Sequence, residues 1–289
     1  MLINRNVPYS VSWLLTNNCN YECGFCWRVL DRRNIGLETA MNITTKLSDA
    51  GMVKMSWAGG EPLLFRGIGT LIKKTSELGV ETMLITNGSL IDRIFPAGLP
   101  RELDWLTLPL EGVDDVTNRM VGRQVGHFDR VVSLLDRYRL SPLKLKINSV
   151  ATRLNLHSLY RVPEFLNDWR IARWKVFQFY PIRGFAIQNH AEFGISDSEF
   201  LDFRSRLLDR CIELGVQADI VIETNRDLDN SYYTLSPDGC VYVSDNGTDI
   251  YLGDLKCDDP EVVFEDPRLD KAKYDARSNW ILDPRRTLA

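Results

Sequence analysis

Six short runs, residues 10–16, 53–57, 81–86, 105–110, 143–150 and 174–180, are rich in Val, Ile, Leu, Trp and Thr and alternate with stretches of helical length such as 67–78, 128–138 and 156–169. Several runs are apolar on both faces, the pattern of strands buried in a parallel sheet. Parallel neighbours need a crossover between them, and a helix is the usual one. The chain is therefore expected to be α/β, a partial TIM-type barrel of six βα units, (βα)6, left open because the full barrel takes eight. Beyond Tyr180 the rhythm changes. Residues 196–214 read as a further helix with Ser196 at its N-cap and Glu199 three positions on. Residues 240–242 and 248–252 flank Asn246-Gly247, a hairpin signal. The polar tail from Asp258, with Pro260, Pro267 and Pro284, reads as loop. This divides one domain into a barrel core, residues 1–185, and a C-terminal extension, residues 186–289, that closes the open side.

Composition narrows the function class. With 44% hydrophobic and 26% charged residues, 289 residues can bury a sizeable core. Lys plus Arg is 35 and Asp plus Glu 39, so the net charge is 35 − 39 = −4. A weakly acidic chain argues against generic nucleic-acid binding, which needs a basic face, yet allows a local basic pocket for a small polyphosphate. The sequence holds no apolar run of about 18 residues and no apolar stretch of signal-peptide type within residues 1–10, so no membrane partner is expected. Of the six cysteines, Cys19, Cys23 and Cys26 are crowded while Cys211, Cys240 and Cys257 are scattered. That is no disulfide framework, and a cytoplasmic setting with free thiols is expected.

The crowded cysteines lie directly after the first predicted strand, in Cys19-Asn20-Tyr21-Glu22-Cys23-Gly24-Phe25-Cys26. Three thiolates so spaced can wrap one [4Fe–4S] cubane and leave its fourth iron open to a chelating ligand. A structural zinc site would close with a fourth Cys or His, and the nearest histidine is His127. His127, His157 and His190 have no metal spacing and read as surface or loop residues. After the second strand comes Gly59-Gly60-Glu61-Pro62, where glycines permit close backbone approach and Glu61 can accept from an ammonium group. Asn87-Gly88 follows the third strand, and Pro109-Leu110-Glu111-Gly112 closes the fourth.

A CxxxCxxC run with an aromatic residue before its last cysteine, Phe25, followed by GGEP, resembles the radical S-adenosylmethionine (SAM) superfamily. The resemblance implies that Cys19, Cys23 and Cys26 hold the cluster, that SAM chelates its open iron, and that an electron from a reductant such as flavodoxin or ferredoxin breaks a C–S bond to give a 5′-deoxyadenosyl radical. It places Gly59, Gly60, Glu61 and Asn87 with the SAM contacts; Glu111 and Asn148 are assigned to the same side. Where many members carry Ser-x-Asp-Gly after the fourth strand, this chain has Pro109 and Glu111, so the hydroxyl is missing.

Within that superfamily the stretch from about Cys19 to Trp280 is similar to the viperin-like nucleotide dehydratases, through Lys146-Ile147-Asn148-Ser149-Val150, Arg173-Trp174-Lys175-Val176-Phe177-Gln178, Ser231-Tyr232 and Val121-Gly122-Arg123. The likeness implies conversion of a ribonucleoside triphosphate, CTP or another, to its 3′-deoxy-3′,4′-didehydro form, an antiviral chain terminator. It assigns Lys54, Arg123, Lys146, Lys175 and Arg277 to the triphosphate and makes Tyr232 the hydrogen donor to the product radical. The residues themselves agree: a triphosphate needs converging cations, and Lys146 and Lys175 sit on neighbouring apolar strands. Each also has a plainer reading. A lysine near a strand end snorkels to solvent, Arg277 lies in a polar tail, and Tyr232-Tyr233 could simply pack the open side of the barrel. Two other functions remain open at this point, a radical SAM enzyme for a peptide, sugar nucleotide or other metabolite, and a non-catalytic metal-binding module.

Overall fold

The computed structural model describes residues 8–278, with side chains to residue 275. All six expected strands are present, β1 (Ser10–Leu14), β2 (Lys54–Ala58), β3 (Glu81–Ile85), β4 (Trp105–Pro109), β5 (Lys144–Ala151) and β6 (Ile171–Gln178). They pair in parallel in chain order. Four more complete one ten-stranded sheet, β7 (Asp219–Glu223), β8 (Tyr233–Leu235), β9 (Cys240–Asp245) and β10 (Thr248–Asp254). Strand β7 extends the series beyond β6, while β8 joins the opposite edge beside β1, again in parallel. The expected hairpin is β9–β10, antiparallel about Asn246 and Gly247, both at positive φ. The sheet order runs β10-β9-β8-β1 through β7, so the barrel stays open between β10 and β7.

Strand alternation divides the side chains between two environments. Val11, Trp13, Met55, Trp57, Leu106 and Trp174 are almost wholly buried in the main core. Their alternates Ser12, Leu14, Ala58, Ile85, Asn148 and Phe177 line an inner cavity. The helix over Asp197–Glu213 starts as expected, with Ser196 and Glu199 forming a reciprocal capping box.

Two expectations need correction, and two strands were missed. Residues 156–169 form two helices, Leu156–Leu159 and Val162–Asn167, the second opening with Pro163 in its first turn, where the missing N–H costs nothing. The tail is not loop: Pro260–Phe264 and Lys271–Ser278 are helical. Their Phe264 and Tyr274 rings pack edge-on against Tyr233 at 5.2 and 4.9 Å. The Tyr274 hydroxyl also accepts from the Ser10 amide (2.8 Å) and donates to its carbonyl (3.0 Å), tying the tail to the start of β1. Finally, β7 and β8 had no clear signal. Strand β7 is as long as β1 to β4, but the carboxylates at its two ends, Asp219 and Glu223, face Arg173 and Lys175 on β6.

Candidate active site

The cysteine loop leaves β1 and is held from three directions. The Gly60 amide donates to the Thr16 carbonyl (2.6 Å) and Glu61 N–H to the Asn18 carbonyl (2.7 Å). A Cβ on Gly60 would stand 2.1 Å from the Asn18 oxygen, and Gly59 sits at φ 138°, so both glycines are needed for the loop to dock on this segment. From β4's side, Gly122 approaches so closely that a Cβ would lie 2.8 Å from Cys23 Cα. From β6's side, Ala186 N–H donates to the Cys26 carbonyl and Asn189 Nδ2 to the Gly24 carbonyl. Tyr21, Phe25, Val121, Phe179 and Phe193 form an apolar jacket.

Inside that jacket burial pushes all three thiols up, Cys23 to about 12. Thiolates there need strong positive charge, which iron supplies. Among the described residues no three His, Cys, Asp or Glu side chains gather around one ion-sized point. The thiols instead share the wall of one cavity that opens to solvent. That arrangement fits a multi-iron cluster with its ligand better than a closed tetrahedral zinc.

The remaining polar loops are largely satisfied by the chain itself. Glu61 is buried, accepting from Leu63 N–H (3.1 Å), Thr86 Oγ1 (2.6 Å) and Asn87 N–H (2.9 Å), and lies behind the cavity wall. Asn87 lines the cavity, its Nδ2 donating to Asn20 (3.0 Å). Glu111 lines the cavity and is held by Arg123 through two hydrogen bonds of 2.7 and 2.9 Å. Arg123 is thereby placed beside Cys23 and over the Phe25 ring (5.1 Å), on the cluster side of the cavity. Burial opposes its charge, but Cys23 and Glu111 outweigh burial and raise its pKa. Asn148 is the exception. Its Oδ1 is buried on the cavity wall with no partner, an acceptor awaiting a donor.

Deeper along the same strand faces lies a layer of charge. Lys54 contacts Glu81 (3.2 Å) and the Trp105 ring (4.3 Å). Lys175 pairs with Glu223 (2.8 Å), and Arg173 grips Asp219. Lys146 is buried, and its main electrostatic neighbours are three cations, Lys175, Arg173 and Lys54, against one carboxylate, Glu223. Burial first, and then those cations, drive its pKa well below the lysine range. Three lysines assigned from sequence thus converge, whereas Arg123 stands apart with the cysteines. The Arg277 side chain lies outside the described residues. Thr107 Oγ1, paired in register with Lys146, is buried without a partner.

The last wall was mostly invisible in sequence. Tyr232 is there as expected, its hydroxyl 3.4 Å from Ser12 Oγ and its ring 5.9 Å from Trp27. Trp27, Tyr180 and Arg183 join it, although their only sequence cue is that Trp27 follows Cys26. His127 corrects another expectation. It is buried against Tyr21, with Nε2 2.9 Å from the Pro109 carbonyl. Burial pushes its pKa down to about 3, so the neutral ring donates from Nε2 and fixes the end of β4. Cys211, Cys240 and Cys257 are free thiols away from the cavity.

Comparison with known proteins agrees with this geometry. The Radical SAM superfamily profile matches residues 13–164. An S-adenosylmethionine-dependent nucleotide dehydratase of Flammeovirga pacifica is 32% identical over 87% of this chain and 88% of its own. The S-adenosylmethionine-dependent nucleotide dehydratase RSAD2 of Siniperca chuatsi is 30% identical, over 80% of this chain and 67% of its own. Among solved structures, Streptococcus suis SuiB bound to the precursor peptide SuiA superposes with TM-score 0.73, covering 93% of this chain and 67% of SuiB. At 18% identity that likeness is one of fold alone. The partial barrel, the three thiols on one cavity and these relatives together place the chain in the radical SAM superfamily, within its viperin-like S-adenosylmethionine-dependent nucleotide dehydratases.

Proposed function

We propose that the chain dehydrates a ribonucleoside triphosphate to its 3′-deoxy-3′,4′-didehydro form. The carrying observation is the crowded cation layer of Lys54, Lys146 and Lys175 deep in the same barrel interior whose upper end holds the cysteines. A polyanion relieves the repulsion within that layer, and a neutral metabolite would not. Asn148 stands two residues above Lys146 on β5, about 6.6 Å along the strand. A triphosphate on the lysines therefore puts the ribose at Asn148, with the base towards the mouth and SAM near the cysteines.

With cluster and SAM bound, the site supplies the radical that takes H4′. The chain does the rest. Lys54, Lys146 and Lys175 fix the triphosphate, Asn148 Oδ1 accepts from a ligand N–H or O–H, and the aromatic walls exclude water. Tyr232 then gives its phenolic hydrogen atom as the 3′-hydroxyl departs as water. The balance closes: H4′ and the 3′-hydroxyl leave the substrate, and Tyr232's hydrogen completes the water. An electron and a proton restore the phenol, which calls for an external reductant such as flavodoxin or ferredoxin. Gly59, Gly60 and Asn87 face SAM, and the Glu111–Arg123 pair leaves guanidinium donors on that side. A product lacking its 3′-hydroxyl ends a growing polymerase chain, which supports an antiviral role, and the substrates are cytoplasmic. No helix among the described residues is long and apolar enough to cross a membrane.

The test is anaerobic incubation of the iron-loaded enzyme with SAM, dithionite and each ribonucleoside triphosphate, read by mass spectrometry. Loss of one water from a triphosphate, matched by 5′-deoxyadenosine, is expected. SAM cleavage that leaves all four triphosphates intact would overturn the assignment.

A further inference from the structure

The cavity mouth is built unlike the lysine layer below it. Arg183 immediately precedes Gly184, whose φ of 60° and close approach to the Arg28 carbonyl fix the turn that carries it. One of its terminal nitrogens donates to Asp249 Oδ1 at 2.8 Å. Its guanidinium lies 5.3 Å over the Trp27 ring. Trp27 in turn sits 6.3 Å from Tyr180 and 5.9 Å from Tyr232. Tyr180 is locked by donating to Asp229 while accepting from Gly247 N–H. In this rigid aromatic setting Arg183 Nε is buried and has no partner. A buried donor left unmade is costly, so the chain leaves it open for something that arrives.

We propose that Arg183, held by Asp249 and backed by Trp27 and Tyr180, reads the nucleobase of the substrate and favours a base with an oxo group over one with an amino group at purine C6 or pyrimidine C4. This rests on the nucleotide reading above. A phosphate is the poorer candidate because Asp249 already offsets the guanidinium charge, whereas the lysine layer is cationic. A flat, neutral ring suits three aromatic neighbours. The position agrees as well: Arg183 follows the C-terminal end of β6 and lines the cavity, whereas Lys175 lies further back along that strand. A guanidinium only donates, so it pairs with guanine O6 or uracil O4 and not with the amino groups that replace them in adenine and cytosine.

The test compares kcat/KM for water loss within the pairs GTP against ATP and UTP against CTP, in the wild type and in Arg183→Met and Arg183→Lys. Because both members of a pair are measured on one preparation, partial misfolding cancels in the ratio. The wild type is expected to favour the oxo member of its preferred pair by roughly tenfold or more, and Arg183→Met to bring that ratio close to one. Arg183→Lys, which keeps the charge and loses the planar fork, is expected to fall between. An unchanged ratio in Arg183→Met, or a wild type favouring the amino member of its preferred pair, overturns the proposal. A wild type that dehydrates no triphosphate overturns the nucleotide reading itself, and this inference with it.

Discussion

The two ends of the barrel interior handle polar groups in opposite ways. At the cysteine end the chain satisfies itself: Glu61 accepts from Leu63 N–H, Thr86 Oγ1 and Asn87 N–H, and Glu111 accepts two hydrogen bonds from Arg123. Glycines let loop pack on loop, and the whole is fixed before any ligand arrives. At the lysine end the balance is deliberately short of anions. Lys54 and Lys175 have carboxylate neighbours, but Lys146 is buried among cations. The first arrangement suits a resident cofactor that needs one rigid geometry. The second suits a charged substrate that enters and leaves, since its arrival supplies the missing charge.

The contrast predicts effects of different size and sign. Replacing Cys19, Cys23 or Cys26 with Ala should strip the cluster and abolish SAM cleavage, read as iron content and 5′-deoxyadenosine; full retention of iron would break the assignment of the cysteine end. Gly60→Ala, whose Cβ meets the Asn18 oxygen at 2.1 Å, should cost about 1–3 kcal/mol of stability in denaturant melts and lower cluster occupancy. Lys146→Met should do the reverse at the other end: nucleotide affinity falls roughly tenfold or more in calorimetry while thermal stability at neutral pH rises. A variant that is both less stable and unimpaired in binding would dissolve the distinction between the ends.

The smallest effect is on pH. Burial outweighs Glu81 and lowers Lys54 to about 8, so its charge is present below that pH and lost above it. Triphosphate KM should accordingly climb severalfold between about pH 7 and about pH 9, and Lys54→Met should flatten that climb. Stability moves the other way. Lys54 and Lys146 both have depressed pKa values in the fold, so the unfolded chain binds more protons between the folded and unfolded values. Unfolding free energy therefore rises with pH through that window, and Lys146→Met should reduce the slope.

The sequence showed one end better than the other. The cysteines, the glycines at 59 and 60, and six strands were legible because local spacing and two-faced apolarity determine them. The lysines were visible as charges on apolar strands, but their partners were not. Glu223 and Asp219 lie on β7, a strand whose own charges hid it, because a carboxylate pointing into a barrel reads like a carboxylate pointing at water. His127 read as a surface residue since nothing local marks a histidine that will donate to Pro109 across 18 positions. Trp27, Tyr180 and Arg183 come together only through the docking of the segment after β6 onto the cysteine loop. Long-range packing, not spacing, builds the mouth of the site.

The most direct measurement uses a ribonucleoside triphosphate deuterated at C4′, turned over once under anaerobic conditions with unlabelled SAM. If the lysine layer anchors the triphosphate and holds the ribose below the cysteines, the 5′-deoxyadenosine formed carries one deuterium and the nucleotide product none at C4′. Dehydrated nucleotide accompanied by unlabelled 5′-deoxyadenosine would contradict that placement.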